Sequence, residues 1–445
     1  MRISPLLPAA LTAVFLCSHA SAAAPGASEQ QVRQRAAAVE QQLIKWRRDI
    51  HQHPELGDQE HRTAKLVADH LRQLGLEVRT GIGRTGVVGI LKGGKPGKTV
   101  ALRADMDALP VKEPAGLPFA SKAKGIYQGA EVDVMHACGH DAHTAMLMAT
   151  ATVLAGMRES LAGNVMFIFQ PAEEGSSTLL PGTGKEWGAK LMLDEGLFKQ
   201  VRPDAVLAMH VVTARSGEIS WRTGATTAAS DDLRISVTGK QGHGGMPWNT
   251  IDPIVTSALV INGLQTVVSR QANLSQSPVV VTIGTINGGT APNIVPETVY
   301  MTGTIRSYDE QVRAKVAADI KTSAVNIAQS TGAQAKVSID PKYGVTVNQK
   351  ALADRMQPVL ERAADGRVAV APLVGASEDF SYFAQQVPGL YLVLGVTPDG
   401  QDPAKAAPNH SPKFFVDESA LVVGVRAMAM MAADFLTADA GEKKP

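Results

Sequence analysis

Cysteine is nearly missing from this 445-residue chain, which has only Cys17 and Cys138. Aromatic residues are scarce at 4%, and neither sign of charge dominates, with 43 Lys+Arg against 42 Asp+Glu. A net charge of +1, with no basic run longer than Lys443-Lys444, excludes the electrostatic footprint of nucleic-acid or anionic-membrane binding. At 44% hydrophobic and 19% charged residues the chain is too apolar for a disordered protein. Its length suits two or three domains at roughly 150 residues each.

Long hydrophobic runs are also missing, except at the N-terminus. Met1-Arg2 is followed by an apolar stretch from Leu6 to Cys17 and by Ala20-Ser21-Ala22, the pattern of a cleavable signal peptide over residues 1–22. The stretch is shorter than the roughly 18 to 20 residues that span a bilayer. No later segment is expected to cross one, and Val14-Phe15-Leu16 argues against lipidation of Cys17. The expected location is the periplasm or the exterior, with no membrane attachment after cleavage. Loss of Arg2 would leave 42 positive against 42 negative side chains, and Cys138 as the single thiol. A lone thiol in an oxidising compartment forms no internal disulfide and has to be buried or ligated.

Residues 23–36, rich in Ala, Gly, Ser and Gln, read as a flexible tail. Helical periodicity starts around Val39 to Ile50 and returns at Glu60 to Leu76, closed by Gly75. Apolar runs at Val87 to Leu91, Thr99 to Ala104, Val165 to Phe169, Ala205 to Met209 and Leu390 to Val396 read as doubly buried strands, with an Ala/Met/Leu helix at Ala142 to Arg158. This order predicts an α/β fold, a mostly parallel sheet with helices on both faces, over residues 37–222 and 341–437. Between them the texture changes. Asp232 to Thr238, Val279 to Ile286, Thr298 to Ile305 and Ala335 to Ile339 alternate polar and apolar residues, and Pro253 to Arg270 and Gln311 to Gln329 are helical. The β-α-β-β-α-β order predicts an inserted ferredoxin-like α+β domain at 223–340.

Cys138 lies in Met135-His136-Ala137-Cys138-Gly139-His140-Asp141-Ala142-His143, directly before a helix. A helix start and flanking imidazoles favour thiolate, so a metal ligand, a cysteine nucleophile and a buried core cysteine all remain open there. Other donors follow predicted strands, where parallel sheets bind ligands: Asp105 and Asp107, then Glu173 and Glu174, then His210, with His410 on a C-terminal loop. His51 and His53 read as helix caps, and His136 and His143 as neighbours of the site rather than ligands.

The segments ADMDALP, HACGHDAH, QPAEEG, AMH, GHGGMP, APNIVPE, GTIRS, SEDF and NHSPKF occur in this order. Over residues 40 to 435 the chain thereby resembles the M20 metallopeptidases, and most of all their amidohydrolase branch of hippurate hydrolases, aminoacylases and auxin-amino-acid conjugate hydrolases. The resemblance implies two divalent metal ions, zinc or manganese, with cobalt or nickel as alternatives, held by Cys138, His140, Glu174, His210 and His410, with Cys138 as the bridge. It implies Glu173 as general base, His243 as oxyanion stabiliser reaching a neighbouring subunit's site, and Asn293 and Arg306 as binders of the substrate carboxylate. Asp107 is expected to orient a ligand histidine. The inserted domain would act as lid and as homodimer surface. Asp105 and Cys138 depart from the wider family, which carries His and Asp there, and agree with the amidohydrolase branch. The implied reaction is hydrolysis of N-acyl or N-aroyl amino acids. A dipeptidase or carboxypeptidase on the same centre is one alternative, and a non-catalytic exported solute-binding protein is another.

Overall fold

A computed structural model describes residues 27–179 and 185–437. The expected signal peptide and residues 23–26 of the expected tail lie outside them. The remainder of that tail is helical. Ala27–Gln52 is one helix, because Val32, Ala36, Val39 and Leu43 recur at helical spacing and pack into the main core. Alanine adds little to a hydropathy reading, so the sequence shows this stripe only from Val39 onward.

All five apolar runs lie in one eight-stranded sheet. Its centre is parallel, in the order Ala162–Gln170, Lys95–Asp105, Ala205–Arg215 and Gly389–Thr397. Alternate residues of each strand enter two separate cores, so both faces are covered. Helices Ala27–Gln52, His140–Ala155 and Leu421–Thr437 cover one face, and Gly188–Asp194 and Phe380–Gln386 the other. The flanks are antiparallel: Gly86–Lys92 pairs with Ala162–Gln170 and forms a hairpin with Glu77–Ile82, and Ile219–Trp221 opposes Gly389–Thr397.

One expectation about membranes needs correction. Glu418–Thr437 has the length and hydropathy of a membrane span, but 72% of that window is buried inside the protein. It is apolar because it packs against the sheet and the His140–Ala155 helix.

Four antiparallel strands form a second sheet, in the order Val279–Asn287, Thr298–Ser307, Ala229–Thr238, Gln334–Tyr343. Helices Pro253–Thr266 and Glu310–Ser330 pack on it around a core of its own that includes Leu233, Ile235, Leu264 and Ile320. Asp252 and Asp309 cap these helices by accepting first-turn amide protons. Where the chain enters and leaves this unit, Gly224–Thr227 pairs with Thr346–Asn348.

Candidate metal centre

One rung of the major sheet forms the floor of the site. Asp105 pairs with Gln170, and the register Arg103↔Ala208 puts His210 level with Asp105. His210 pairs onward with Val393, and Val393 with Ser220. Cross-strand partners share a face, so these side chains line one surface. His210 does not end its strand, which runs on to Arg215.

Loops deliver the other donors. Between Cys138 and His140 the backbone turns through Gly139 at φ +96°, where a Cβ would lie 2.3 Å from Val211 Cγ2, so only glycine allows the thiol and the first helical residue to sit together. Ala172 takes φ +50° ahead of Glu173. Its amide donates to buried Glu60 Oε1 at 2.8 Å, and Thr85 donates to Glu60 Oε2 at 2.5 Å. Burial, with Asp107 nearby, pushes Glu60 up to about 8. The C-terminal loop is fixed by His410 N–H donating to Ala137 O at 2.8 Å and by the Asn409 amide donating to the Cys138 and Val211 carbonyls.

These segments converge on two overlapping triads. The donor atoms of Cys138, His140 and His210 lie within 4.8 Å of one another, and so do those of Cys138, Glu174 and His410. The sulfur belongs to both. His210 Nδ1 donates to the Val211 carbonyl at 2.8 Å, which leaves Nε2 with its lone pair 3.4 Å from Cys138 Sγ. Asp107 sits behind both triads: Oδ1 is 3.1 Å from His140 Nδ1, and Oδ2 accepts the Glu174 amide proton at 2.9 Å. Among the described residues, His140 Nε2 is buried without a hydrogen-bond partner, whereas Glu174 Oε1 has His410 Nε2 at 2.8 Å. A buried polar atom left unpaired costs about 1–3 kcal/mol. A cation would satisfy His140 Nε2, and mixed thiol, imidazole and carboxylate donors suit transition-metal dications. The residues therefore fit a two-ion group.

Burial, then Glu174, Glu173 and Asp105, push the Cys138 thiol well up; cations bound beside it would favour the thiolate. Burial opposes charge on His140, yet Asp105 and Asp107 raise it to about 10. Burial and His143 lower His210 strongly. Glu173 is raised by burial, then by Glu378 and Glu174. The cluster is rich in negative charge and calls for cations.

The remaining histidines separate clearly. His143 Nδ1 donates to Asp105 Oδ1 at 2.6 Å and Nε2 accepts the Val211 amide proton at 2.8 Å, so neither nitrogen is left for a metal. His136 is buried with neither nitrogen bonded among the described residues, and burial lowers it to about 3. His53 caps the first helix through the Asp49 carbonyl at 2.8 Å. His51 does not cap; it bridges Asp141 at 2.8 Å and Glu113 at 3.0 Å.

The inserted domain's predicted residues lie outside the triads. His243 is exposed and its Nδ1 accepts the Gly245 amide proton at 3.0 Å. Asn293 is beside it, its carbonyl accepting from Gly244 at 2.8 Å. Arg306 and Tyr343 both pair with Ser230 and so share a face. Arg306 Nη1 is buried without a partner among the described residues.

Sequence reasoning missed two residues. Arg103, fully buried, donates to Asp105 Oδ2 (2.8 Å), Glu378 Oε1 (2.8 Å), Asp379 Oδ1 (3.0 Å) and Gln170 Oε1 (2.8 Å). A lone arginine within a doubly buried strand, in the same parity as Asp105, was the available signal. Tyr343 donates to the Glu173 carbonyl, and no sequence signal marks it.

A mixed α/β scaffold that gathers these donors from one strand and the loops around its parallel sheet defines a metal-dependent hydrolase. The chain belongs to peptidase family M20/M25/M40, whose model matches residues 101–434. It is 42% identical over 400 residues to thermostable carboxypeptidase 2 of Saccharolobus solfataricus, covering 89% of this chain and 96% of that protein. It is 37% identical to an IAA-amino acid hydrolase of Arabidopsis thaliana, covering 88% and 85%. The solved structure of a dinuclear metal-binding M20 peptidase from Bacillus subtilis is similar at TM-score 0.74 and 32% identity, covering 90% of this chain and 99% of that one.

Proposed function

We propose that the protein hydrolyses the amide bond of N-acyl amino acids, releasing a carboxylic acid and a free amino acid. The observation that carries this reading is the pair of triads sharing Cys138 Sγ, with Glu173 alongside. Cys138, His140 and His210 would hold one divalent ion, and Cys138, Glu174 and His410 the other. Bound there, such ions supply Lewis-acid polarisation of a carbonyl and acidify water.

The protein's own groups supply the rest. Glu173 takes the proton from the attacking water and delivers it to the leaving amine. Asp107 fixes the His140 ring and the Glu174 backbone together. Arg306, with an unpaired buried Nη1, binds the substrate's free carboxylate with Asn293.

His243 lies outside its own chain's triads, which supports its acting at a neighbouring subunit's site, where it stabilises the oxyanion. Exposed Ile254, Val255 and Leu259 on one helix and Val280 and Ile286 on the edge strand support a homodimer through the inserted domain. The chain acts after export to the periplasm or the exterior. Zinc and manganese suit the donor set best, with cobalt and nickel also accepted.

The relative named a carboxypeptidase supports a second reading, peptide cleavage on the same centre. Metal-depleted protein reconstituted with one ion at a time, and offered hippurate, N-acetyl-methionine and dipeptides, separates the two. Turnover of the acylated compounds is expected. Absence of turnover across the panel, with metal bound, would leave a solute-binding protein.

A further inference from the structure

Two glutamates divide the work at the start of the helix His61–Gln73. Glu60 holds its N-cap position, where a side-chain oxygen ordinarily accepts first-turn amide protons. Glu55 does this instead, its Oε1 accepting from the Arg62 amide and its Oε2 from the Thr63 amide, each at 2.8 Å. Among the described residues the Glu60 side chain makes no cap bond, and it is fully buried. Oε1 accepts the Ala172 amide proton at 2.8 Å, and Oε2 accepts from the Thr85 hydroxyl at 2.5 Å. Burying an acid group costs solvation. A residue that gives up its local role for such a position marks a place where function overrides local stability.

What the bond holds is a strained turn. Ala172 sits at φ +50°, a region that residues with a Cβ rarely adopt. Glu173 and Glu174 follow directly, so this angle sets where both carboxylates point. The segment leading to Glu60 supports the same turn. A Cβ on Gly57 would lie 2.2 Å from the Gly175 carbonyl oxygen and 3.2 Å from Ala172 Cα, and the Gly57 carbonyl accepts from the Ser177 amide at 3.1 Å. The Glu55 carbonyl accepts from the Ala108 amide at 2.8 Å, next to Asp107. Residues 55–60 therefore cradle the Asp107 loop and the Ala172 turn together, and within them Glu60 bonds the strained residue itself. Thr85, just ahead of the strand Gly86–Lys92, fixes the second oxygen, so the carboxyl cannot follow the turn if it relaxes.

We propose that Glu60 is a positioning residue for the hydrolysis. By holding the Ala172 amide it keeps the turn at positive φ and aims the Glu173 base and the Glu174 ligand together. The proposal rests on the amidohydrolase reading above and adds to it a residue that acts through the backbone rather than on the substrate. Burial, then Asp107, raise the Glu60 carboxyl to about 8, so at neutral pH it is mostly uncharged. Glutamine can then reproduce it, its carboxamide oxygen accepting from Ala172 and its N–H donating to the Thr85 hydroxyl.

The test uses metal-loaded enzyme with N-acetyl-methionine, and kcat is expressed per ion-loaded chain. Glu60→Leu keeps the bulk and removes both bonds: kcat is expected to fall about 100-fold, the effect of misplacing a reacting group by roughly 1 Å, with KM changed less than about twofold. Zinc affinity, measured by competition with a chelating dye, should weaken about tenfold. Glu60→Gln should stay within about threefold of wild type in kcat and zinc affinity. A role in stability alone would lower the melting temperature and leave kcat per loaded chain unchanged; that result, or Glu60→Gln as slow as Glu60→Leu, would overturn the proposal. Should Glu60→Leu fail to fold, Thr85→Val frees the second oxygen alone and is expected to lower kcat about fivefold; an unchanged kcat would overturn the proposal equally. If the wild type turned over no acyl amino acid, the amidohydrolase reading would fail by itself. Glu60 would then be judged by zinc affinity, and equal values in wild type and Glu60→Leu would refute its role.

Discussion

The hydroxyl of Tyr343 donates to the main-chain carbonyl of Glu173 across 3.0 Å. Tyr343 ends the inserted domain's last strand, and Glu173 follows a residue held at positive φ. One bond thus ties the second domain to the turn that carries the proposed base. Tyr343→Phe removes about 1 kcal/mol of positioning. kcat is expected to fall about fivefold with KM and metal content unchanged; a KM effect alone would make Tyr343 a substrate contact instead.

Glu173→Gln keeps the shape and removes the base. Turnover should drop at least about 100-fold, while elemental analysis still finds two ions per chain. Loss of one ion would reassign Glu173 as a ligand, a role that its proximity to His140 and Glu174 makes testable.

Asp107 uses both oxygens, one toward His140 and one for the Glu174 amide. Asparagine has a single acceptor oxygen. Asp107→Asn should weaken metal affinity about 10- to 100-fold, measured by competition with a chelating dye. Unchanged affinity would show that the ligands hold their own orientation.

If His243 serves the partner's site, Glu173→Gln and His243→Ala chains should complement each other. A heterodimer of the two has one intact site, so an equal, fully exchanged mixture should recover up to about a quarter of wild-type activity. A mixture as inactive as its components would confine His243 to its own chain.

His51 provides a pH signature of stability. Burial opposes its protonation, but Asp141 and Glu113 outweigh both burial and Arg47, and its pKa is raised. The folded state therefore holds the proton more tightly than the unfolded chain. The stabilisation is fully present below the unfolded value of about 6.5 and is lost as pH rises through the raised value. The melting-temperature gap between wild type and His51→Gln should be widest near pH 6 and narrow toward pH 9; a gap independent of pH would mean a neutral imidazole.

Four of the five candidate donors were legible because each stands in a short motif after an apolar run or before an apolar helix, and such runs become parallel strands; His410 stands on a loop that only its own motif marks. The inserted domain was legible from its alternation. What the sequence hides is who meets whom. Arg103 finds Glu378 and Asp379 275 and 276 residues away, and nothing local announces that. The antiparallel flanks escaped because a doubly buried strand reads the same in either direction. The setting of the thiol was hidden for a related reason: the helix start is local, whereas Glu173 and Glu174 arrive from elsewhere in the chain.

The strand Gly389–Thr397 lies between Ala205–Arg215 and Ile219–Trp221, although more than 160 residues separate it from either in the chain. Until Gly389–Thr397 leaves the ribosome, Ala205–Arg215 is therefore a bare sheet margin, apolar on both sides and open to pairing with a second nascent chain. A truncation that removes Gly389–Thr397 should accordingly yield aggregates rather than a sluggish enzyme, and that margin has to be kept apart from its like during synthesis.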